Sequence, residues 1–172
     1  MLFLHSAAKI ADTIKGDTMQ KMVLLLAMLG LLQADEDAVK VVFDLTTSKV
    51  QTFEKKVLKG IAVHKAHYEG QLKELEVAVV IHGGAYKFFV KDPVHSPFSD
   101  DKELIKAHDD FKKRIASMAT NYEVQFLMCN SGRVSNKLPK DAIYDFVTMV
   151  PNAAIGLIDK QHEGFGYIPI GD

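Results

Sequence analysis

A chain of 172 residues, of which 48% are hydrophobic, suits one globular domain with a hydrophobic core. Its 21 basic and 22 acidic residues nearly cancel, so we expect no nucleic-acid partner, because duplex binding usually requires a basic face. The single cysteine excludes an intrachain disulfide and any cysteine-rich zinc or iron–sulfur site, and it leaves a buried cysteine, an intermolecular bridge or a reactive thiol.

The N-terminal part of the chain has a pattern typical of a secretory signal peptide. A short charged start precedes an apolar run at residues 22–32, and the small residue Ala34 suits the cleavage position. We predict a signal peptide at residues 19–34, a mature domain at residues 35–172, and a periplasmic or secreted bacterial protein. Residues 1–18 are interpreted as an over-long start or a disordered segment. The run is too short for a stable membrane span; if it is instead a docked helix, the protein is cytoplasmic.

Strand patterns and helix patterns alternate along the mature chain. Short apolar or β-prone runs predict strands at residues 39–45, 75–81, 124–129, 142–150 and 165–169. Amphipathic periodicity, capping residues and terminal glycines predict helices at residues 49–69, 100–120, 132–137 and 152–162. This alternation predicts an α/β fold, a three-layer α/β/α domain with a mainly parallel sheet of about five strands.

The carboxyl end of the third predicted strand carries the sharpest candidate for chemistry. Cys129 ends this strand, and the carboxyl edge of an open parallel sheet is where catalytic and binding groups collect. If a helix begins just after it, the backbone N–H groups and the positive helix end favour the thiolate, and Arg133 adds positive charge about one turn on. A lowered pKa makes Cys129 a nucleophile that can accept sulfur as a persulfide. The alternative is a buried structural cysteine.

Three residues follow the second predicted strand at the same edge of the sheet. His82 is a candidate catalytic residue, either as a proton shuttle or as a group that stabilises a sulfur anion. Gly83 and Gly84 allow the backbone to approach a ligand closely. The alternative is a turn histidine whose glycines serve only a tight bend. The other histidines show no metal-ligand spacing, so we expect no metal site.

The turn after the first predicted strand, residues 46–49, offers hydroxyl groups where flavodoxin-type folds hold phosphate. It lacks the glycine that such loops normally use, so plain helix capping is the alternative. We therefore expect no tightly bound cofactor. Tyr86, Phe88 and Phe89 either form the wall of a pocket or pack in the core or against a subunit.

Three stretches, in this order and spacing, resemble a known family. They are Val-Ala-Val-Val-Ile-His-Gly-Gly at residues 77–84, Phe-Leu-Met-Cys-Asn-Ser at residues 126–131, and residues 150–168, where a helix leads into a Gly-x-x-Tyr strand. With them the sequence is similar to the DsrE/DsrF-like (YchN-type) family. The resemblance covers about residues 39–170, which is the whole predicted mature domain.

The resemblance implies a small α/β/α domain that assembles into trimers or hexamers. In the sulfur-trafficking members of the family, a cysteine after the third strand carries sulfur as a persulfide, and Cys129 stands at that position. Family membership alone does not establish sulfur transfer, because one fold hosts many functions. Whether the protein is a sulfurtransferase enzyme or only a sulfur carrier therefore stays open.

These observations lead to the hypothesis of an exported, homo-oligomeric sulfur-relay protein that exchanges sulfur with a partner protein or a small sulfur compound. Cys129 is the predicted persulfide-bearing nucleophile, and His82 lies nearby. The predicted surroundings of the sulfur anion are Asn130, Ser131, Arg133, Gly83 and Gly84. Two alternatives remain: a non-catalytic oligomeric binding or assembly module with a structural cysteine, and a flavin- or nucleotide-binding protein that uses the first strand–helix turn.

Overall fold

The computed structural model describes residues 38–172 of the chain. The predicted signal peptide at residues 19–34 and the segment before it lie outside the described residues. A five-stranded sheet in the order β4-β3-β2-β1-β5 forms the centre of the domain, and each neighbouring pair of strands is parallel. The strands are β1 (Val39–Leu45), β2 (Leu75–Ile81), β3 (Gln125–Cys129), β4 (Thr148–Val150) and β5 (Gly166–Ile170).

Helices connect the strands and cover both faces of the sheet, so the predicted three-layer α/β/α architecture is confirmed. The first helix, α1, runs through Val50–Phe53, a π-helical turn at Glu54–Lys59, and Gly60–Glu69. The others are α2 (Lys102–Thr120), α3 (Asn130–Ser135) and α4 (Ala153–His162). Two 3-10 segments, Gly83–Phe89 and Lys140–Ala142, lie between them. No helix in residues 38–172 is long and apolar enough to cross a membrane.

Alternation along the central strands divides the core between the two faces of the sheet. On β1, Phe43 and Leu45 point into the larger core cluster, whereas Val42 points into the smaller one. The larger cluster contains the buried sides of α1 and α2. The smaller cluster is packed against by Ala153 and Leu157 of α4. The sheet is therefore covered by two helices on one face and by one helix on the other.

The segment that follows β2 is buried, so its aromatic residues pack in the core. In Gly83–Phe89 the side chains of Tyr86 and Phe89 are at most 2% exposed. Phe88 stacks on Phe53 of α1 with ring centroids 4.1 Å apart. This aromatic packing fixes the segment against the core and determines where the Tyr86 hydroxyl can lie.

One strand is shorter than predicted, and two helices begin later than predicted. A strand was expected within residues 142–150, but only Thr148–Val150 pairs with β3, because the residues before it pack as a buried loop. The helix predicted at residues 100–120 begins at Lys102, and its cap residue is Asp101, whose carboxylate accepts a hydrogen bond from the Leu104 N–H at 2.9 Å. At the start of α1 the cap position is Lys49, and no side chain caps this helix end.

Candidate functional site

Cys129 is the last residue of β3, as the sequence predicted. It is also the cap residue of α3, which begins at Asn130 and so starts earlier than the helix predicted at residues 132–137. Its Sγ accepts a hydrogen bond from the Gly132 N–H at 3.4 Å, and it lies 3.3 Å from the Ser131 Oγ. The residue is 6% exposed, whereas Ser131 is exposed. Cys129 is thus largely buried, while one side chain that contacts its sulfur is exposed.

The start of a second helix also faces this sulfur. β4 pairs with β3 through Cys129 and Val150, and the chain then turns into α4, whose first turn is capped by the Asn152 side chain. The backbone N–H of Ala153, the first residue of α4, contributes to lowering the pKa of the Cys129 thiol. The neighbouring turns are joined directly, because the Ser131 N–H donates to the Pro151 carbonyl oxygen at 3.2 Å.

These contacts determine the direction in which the Cys129 pKa departs from its ordinary value of 9.0. Burial raises the pKa, because it disfavours the charged sulfur. Hydrogen bonds from Ser131 and Tyr86, followed by those from the Gly132 and Ala153 N–H groups, lower it. The balance is a lowered pKa, so hydrogen bonding to the thiolate outweighs the cost of its burial.

Tyr86 reaches the site from the buried segment after β2. Its hydroxyl donates a hydrogen bond to the Cys129 carbonyl oxygen at 3.0 Å. Burial, and then the nearby Cys129, raises the pKa of Tyr86 above its ordinary value, so the phenol stays protonated. The sequence pattern indicated only a pocket wall or packing for this residue. No spacing in the sequence reveals the contact, because Tyr86 and Cys129 are 43 residues apart.

Two of the predicted anion-site residues, Asn130 and Arg133, bind each other. The Arg133 Nε and Nη2 atoms donate to the Asn130 Oδ1 at 3.0 and 2.9 Å. A further bond runs from Arg133 Nη1 to the Leu138 carbonyl oxygen. These bonds hold the guanidinium group against the side of α3. Of the residues predicted to surround the sulfur anion, Ser131 is the one whose side chain contacts the sulfur in the described part of the chain.

His82 forms its hydrogen bond with β1, on the side of β2 that faces away from β3. Its Nε2 lies 2.6 Å from the Asp44 Oδ1 on β1, and the Tyr167 hydroxyl on β5 donates to the Asp44 Oδ2 at 2.7 Å. In the pairing of β2 with β3 the last partners are Ile81 and Met128, and residues 82 and 129 come directly after them. The two candidate residues are thus neighbours in the sheet, while the ring of His82 is bound to Asp44.

Gly83 and Gly84 bring the turn after β2 against the turn after β1. Gly83 has a φ of +59°, a conformation that favours glycine. A Cβ atom added to Gly84 would lie 2.6 Å from the Ser48 Cβ, so the two backbones meet only because that atom is absent. The structure places both glycines at this contact between turns.

The turn at residues 46–49 binds a carboxylate of the chain itself. The Thr47 and Ser48 hydroxyls donate to the Asp172 carboxylate at 2.5 and 2.9 Å, and the Ser48 N–H donates at 3.0 Å. The donors that the sequence analysis considered for phosphate therefore have an internal acceptor. Within residues 38–172, no group of His, Cys, Asp and Glu side chains is arranged to hold a metal ion.

The fold and this edge of the sheet define a class: a small three-layer α/β/α domain that presents a thiol where a parallel strand ends. A model of the DsrE/DsrF-like family matches residues 8–170. The chain belongs to the DsrE/DsrF-like family, as its resemblance indicated, and membership suggests a fold of the sulfur-relay type.

The fold itself recurs in solved structures. One is described as a protein of unknown function, MTH1491, from Methanobacterium thermoautotrophicum; it superposes with a TM-score of 0.52 at 21% sequence identity. The match covers 76% of this chain and 98% of that chain. At this identity the likeness supports the fold alone. No curated protein matches the chain.

Proposed function

We propose that this protein is a sulfur-relay protein that carries sulfur as a persulfide on Cys129. The observation that carries the proposal is the convergence of hydrogen-bond donors on the Cys129 sulfur, with the lowered pKa that results. The thiolate is the nucleophilic form of cysteine, and a site that stabilises it favours attack on sulfur at neutral pH. Membership of the DsrE/DsrF-like family supports the same function.

The transfer needs no external oxidant when the donor is itself a persulfide. The Cys129 thiolate attacks the outer sulfur of the donor, a new S–S bond forms at Sγ, and the donor S–S bond breaks with its electron pair leaving on the donor thiolate. In the discharge step an acceptor thiolate attacks the outer sulfur held on Cys129. The S–S bond at Sγ then breaks, and Cys129 leaves as a thiolate.

The low exposure of Cys129 is the observation that favours the second candidate, a non-catalytic module with a structural cysteine. A buried structural cysteine behaves as a small hydrophobic group. Here the sulfur instead meets a hydroxyl and two backbone N–H groups, and Ser131, one of its contacts, is exposed. The exposed side of Ser131 is therefore the side from which we expect a sulfur donor to approach.

Intact-mass analysis after incubation with polysulfide tests the proposal, with Cys129→Ser as the matched control. Because the chain has one cysteine, sulfur bound to a thiol can reside at only one position. We expect the wild-type protein to gain the mass of one or more sulfur atoms, and a thiol reductant to remove it. A gain that persists in Cys129→Ser excludes Cys129 as the carrier, and no gain in the wild type favours the structural module.

The proposed relay protein is a homo-oligomer, a trimer or a hexamer, and is exported. Exposed apolar side chains beside the edge strand β5, including Val63 and Ile168, support contact between copies. Native mass measurement tests the assembly, and an Ile168→Glu variant is expected to weaken it. N-terminal sequencing of the secreted protein tests export: a start near residue 35 agrees with the proposal, and an intact Met1 contradicts it.

A further inference from the structure

We propose that Tyr86 is a positioning residue of the Cys129 site. Its hydroxyl donates a hydrogen bond to the Cys129 carbonyl oxygen while the sulfur is protonated, and it donates to the sulfur instead when the sulfur is charged. The inference rests on the proposed function, because it concerns the same sulfur atom. It assigns a role in the relay to a residue for which the sequence pattern indicated only a pocket wall or packing.

The geometry leaves the Tyr86 hydroxyl free to rotate while the ring stays fixed. Tyr86 is 2% exposed and belongs to the 3-10 segment that packs against the aromatic core. A phenol has one hydrogen to donate, so it serves one acceptor at a time. In the structure that acceptor is the Cys129 carbonyl oxygen at 3.0 Å. The sulfur of the same residue accepts from the Gly132 N–H, and the Tyr86 hydroxyl lies directly against Gly132.

Gly132 shows that position 132 is adapted to this hydroxyl. A Cβ atom added there would lie 2.0 Å from the Tyr86 Oη and 2.9 Å from its Cζ, which no packing tolerates without movement. The Gly132 N–H meanwhile donates to the Cys129 Sγ at 3.4 Å. The backbone of Gly132 therefore binds the sulfur, and the absence of its side chain admits the hydroxyl, so both groups lie against the same residue.

The charges around the pair agree with a donor role for Tyr86. Besides burial, the group that acts on the ionisation of Tyr86 is Cys129, and both raise the Tyr86 pKa. The groups that favour the thiolate of Cys129 are Ser131, Tyr86 and the N–H groups of Gly132 and Ala153, and none of these carries a charge at neutral pH. When the thiolate forms, the phenol beside it stays protonated and can donate.

This donor acts at both steps of the relay. A charged Cys129 sulfur exists before it attacks the donor persulfide, and again when it leaves after an acceptor thiolate has taken the outer sulfur. A hydroxyl that turns from the carbonyl oxygen to the sulfur stabilises both states, and it returns to the carbonyl oxygen when the sulfur is neutral. No covalent bond is made or broken at Tyr86.

The test compares Tyr86→Phe with Tyr144→Phe. Tyr144 is a matched control, because it is also buried and its hydroxyl has no hydrogen-bond partner in the described part of the chain. The ultraviolet absorbance of the thiolate is measured against pH for each protein, after subtraction of the same protein carrying Cys129→Ser. We expect Tyr86→Phe to move the midpoint to higher pH, with about tenfold less thiolate at neutral pH. Tyr144→Phe is expected to leave the midpoint unchanged.

A double-mutant cycle with Gly132→Ala provides a second readout. The alanine methyl group displaces the Tyr86 hydroxyl, so Gly132→Ala alone is expected to raise the midpoint as Tyr86→Phe does. In the Tyr86→Phe background the same substitution is expected to shift it less, because the hydroxyl is already absent. Equal midpoints in Tyr86→Phe and wild type, equal shifts in the two tyrosine variants, or additive shifts in the cycle would overturn the inference. Thiolate absorbance does not require access to the sulfur, so it tests the role of Tyr86 alone. Polysulfide loading tests the proposed function, and its failure is therefore recognised separately.

Discussion

Two regions of the same sheet edge use their polar groups in opposite ways. At the end of β3, hydrogen-bond donors from Ser131, Gly132 and the start of α4 converge on one sulfur atom, which carries a charge only when it ionises. At the ends of β1 and β2 the donors bind carboxylates that belong to the chain: Asp44 accepts from Tyr167 and pairs with His82. Both regions lie where ligands of parallel sheets usually bind.

The difference indicates which region is available for chemistry. A donor that already binds a carboxylate must break that bond before it can serve a ligand, and hydrogen bonds to charged groups are the strong ones. The donors around Cys129 face a sulfur whose charge changes during the proposed reaction. We therefore expect substitutions at the β3 edge to alter the Cys129 thiolate, and substitutions at the β1–β2 edge to alter only stability.

The largest effect is expected at the cap of α4. Asn152→Ala removes the side-chain bond to the Ile155 N–H and should lower the free energy of unfolding by about 1 kcal/mol, measured by urea denaturation. It should also raise the pH midpoint of thiolate formation at Cys129, because the first turn of α4, which contains the Ala153 N–H, is less well ordered without its cap. Asp101→Ala removes the matching cap of α2. If both variants lose stability and both shift the midpoint, the effect is not local to the sulfur.

A smaller effect is the pH dependence of stability that Cys129 contributes. Its pKa is lowered in the folded protein, so the thiolate stabilises the fold fully above the ordinary value of 9.0 and loses that contribution as pH falls through the folded value. The free energy of unfolding of the wild type relative to Cys129→Ser should therefore rise with pH on approaching 9.0. A difference that falls over this range would show that burial, which opposes the thiolate, dominates.

Asp172→Asn is expected to act on stability alone. Hydrogen bonds from Thr47 and Ser48 lower the pKa of the Asp172 carboxyl group, so its stabilising effect is present above its ordinary pKa of 3.8 and disappears as pH falls through the lowered value. The variant should have a slightly reduced melting temperature at neutral pH and a wild-type thiolate midpoint. A shift of that midpoint would connect the turn after β1 to the sulfur.

The smallest effect on the sulfur is expected for His82→Gln. The ring of His82 is bound to Asp44, and glutamine retains a polar group of similar reach, so the thiolate midpoint of Cys129 should hardly change. The predicted role of His82 as a proton shuttle is tested by the same variant. A rate of sulfur discharge that falls while the midpoint stays constant would support that role, and a displaced midpoint would contradict the separation of the two regions.

Local patterns in the sequence predicted the elements that place the thiol. The apolar run at Leu75–Ile81 coincides with β2, and the end of β3 at Cys129 was expected from its neighbours. The contact of Tyr86 with Cys129 could not be predicted, because it depends on aromatic packing that folds Gly83–Phe89 into a 3-10 segment. The fourth strand was predicted too long, at residues 142–150, for a related reason: Ile143 and Tyr144 are buried in a loop, and an apolar run of this kind resembles a strand in sequence.

The pH profile of iodoacetamide labelling of the folded wild-type protein tests the central claim most directly, because alkylation requires a sulfur that is both ionised and reachable. With one cysteine in the chain, the label reports Cys129 alone. We expect complete labelling under native conditions, and the pH midpoint of the labelling rate should lie below the ordinary thiol pKa of 9.0. A thiol that reacts only after denaturation, or with a midpoint at or above that value, would contradict it.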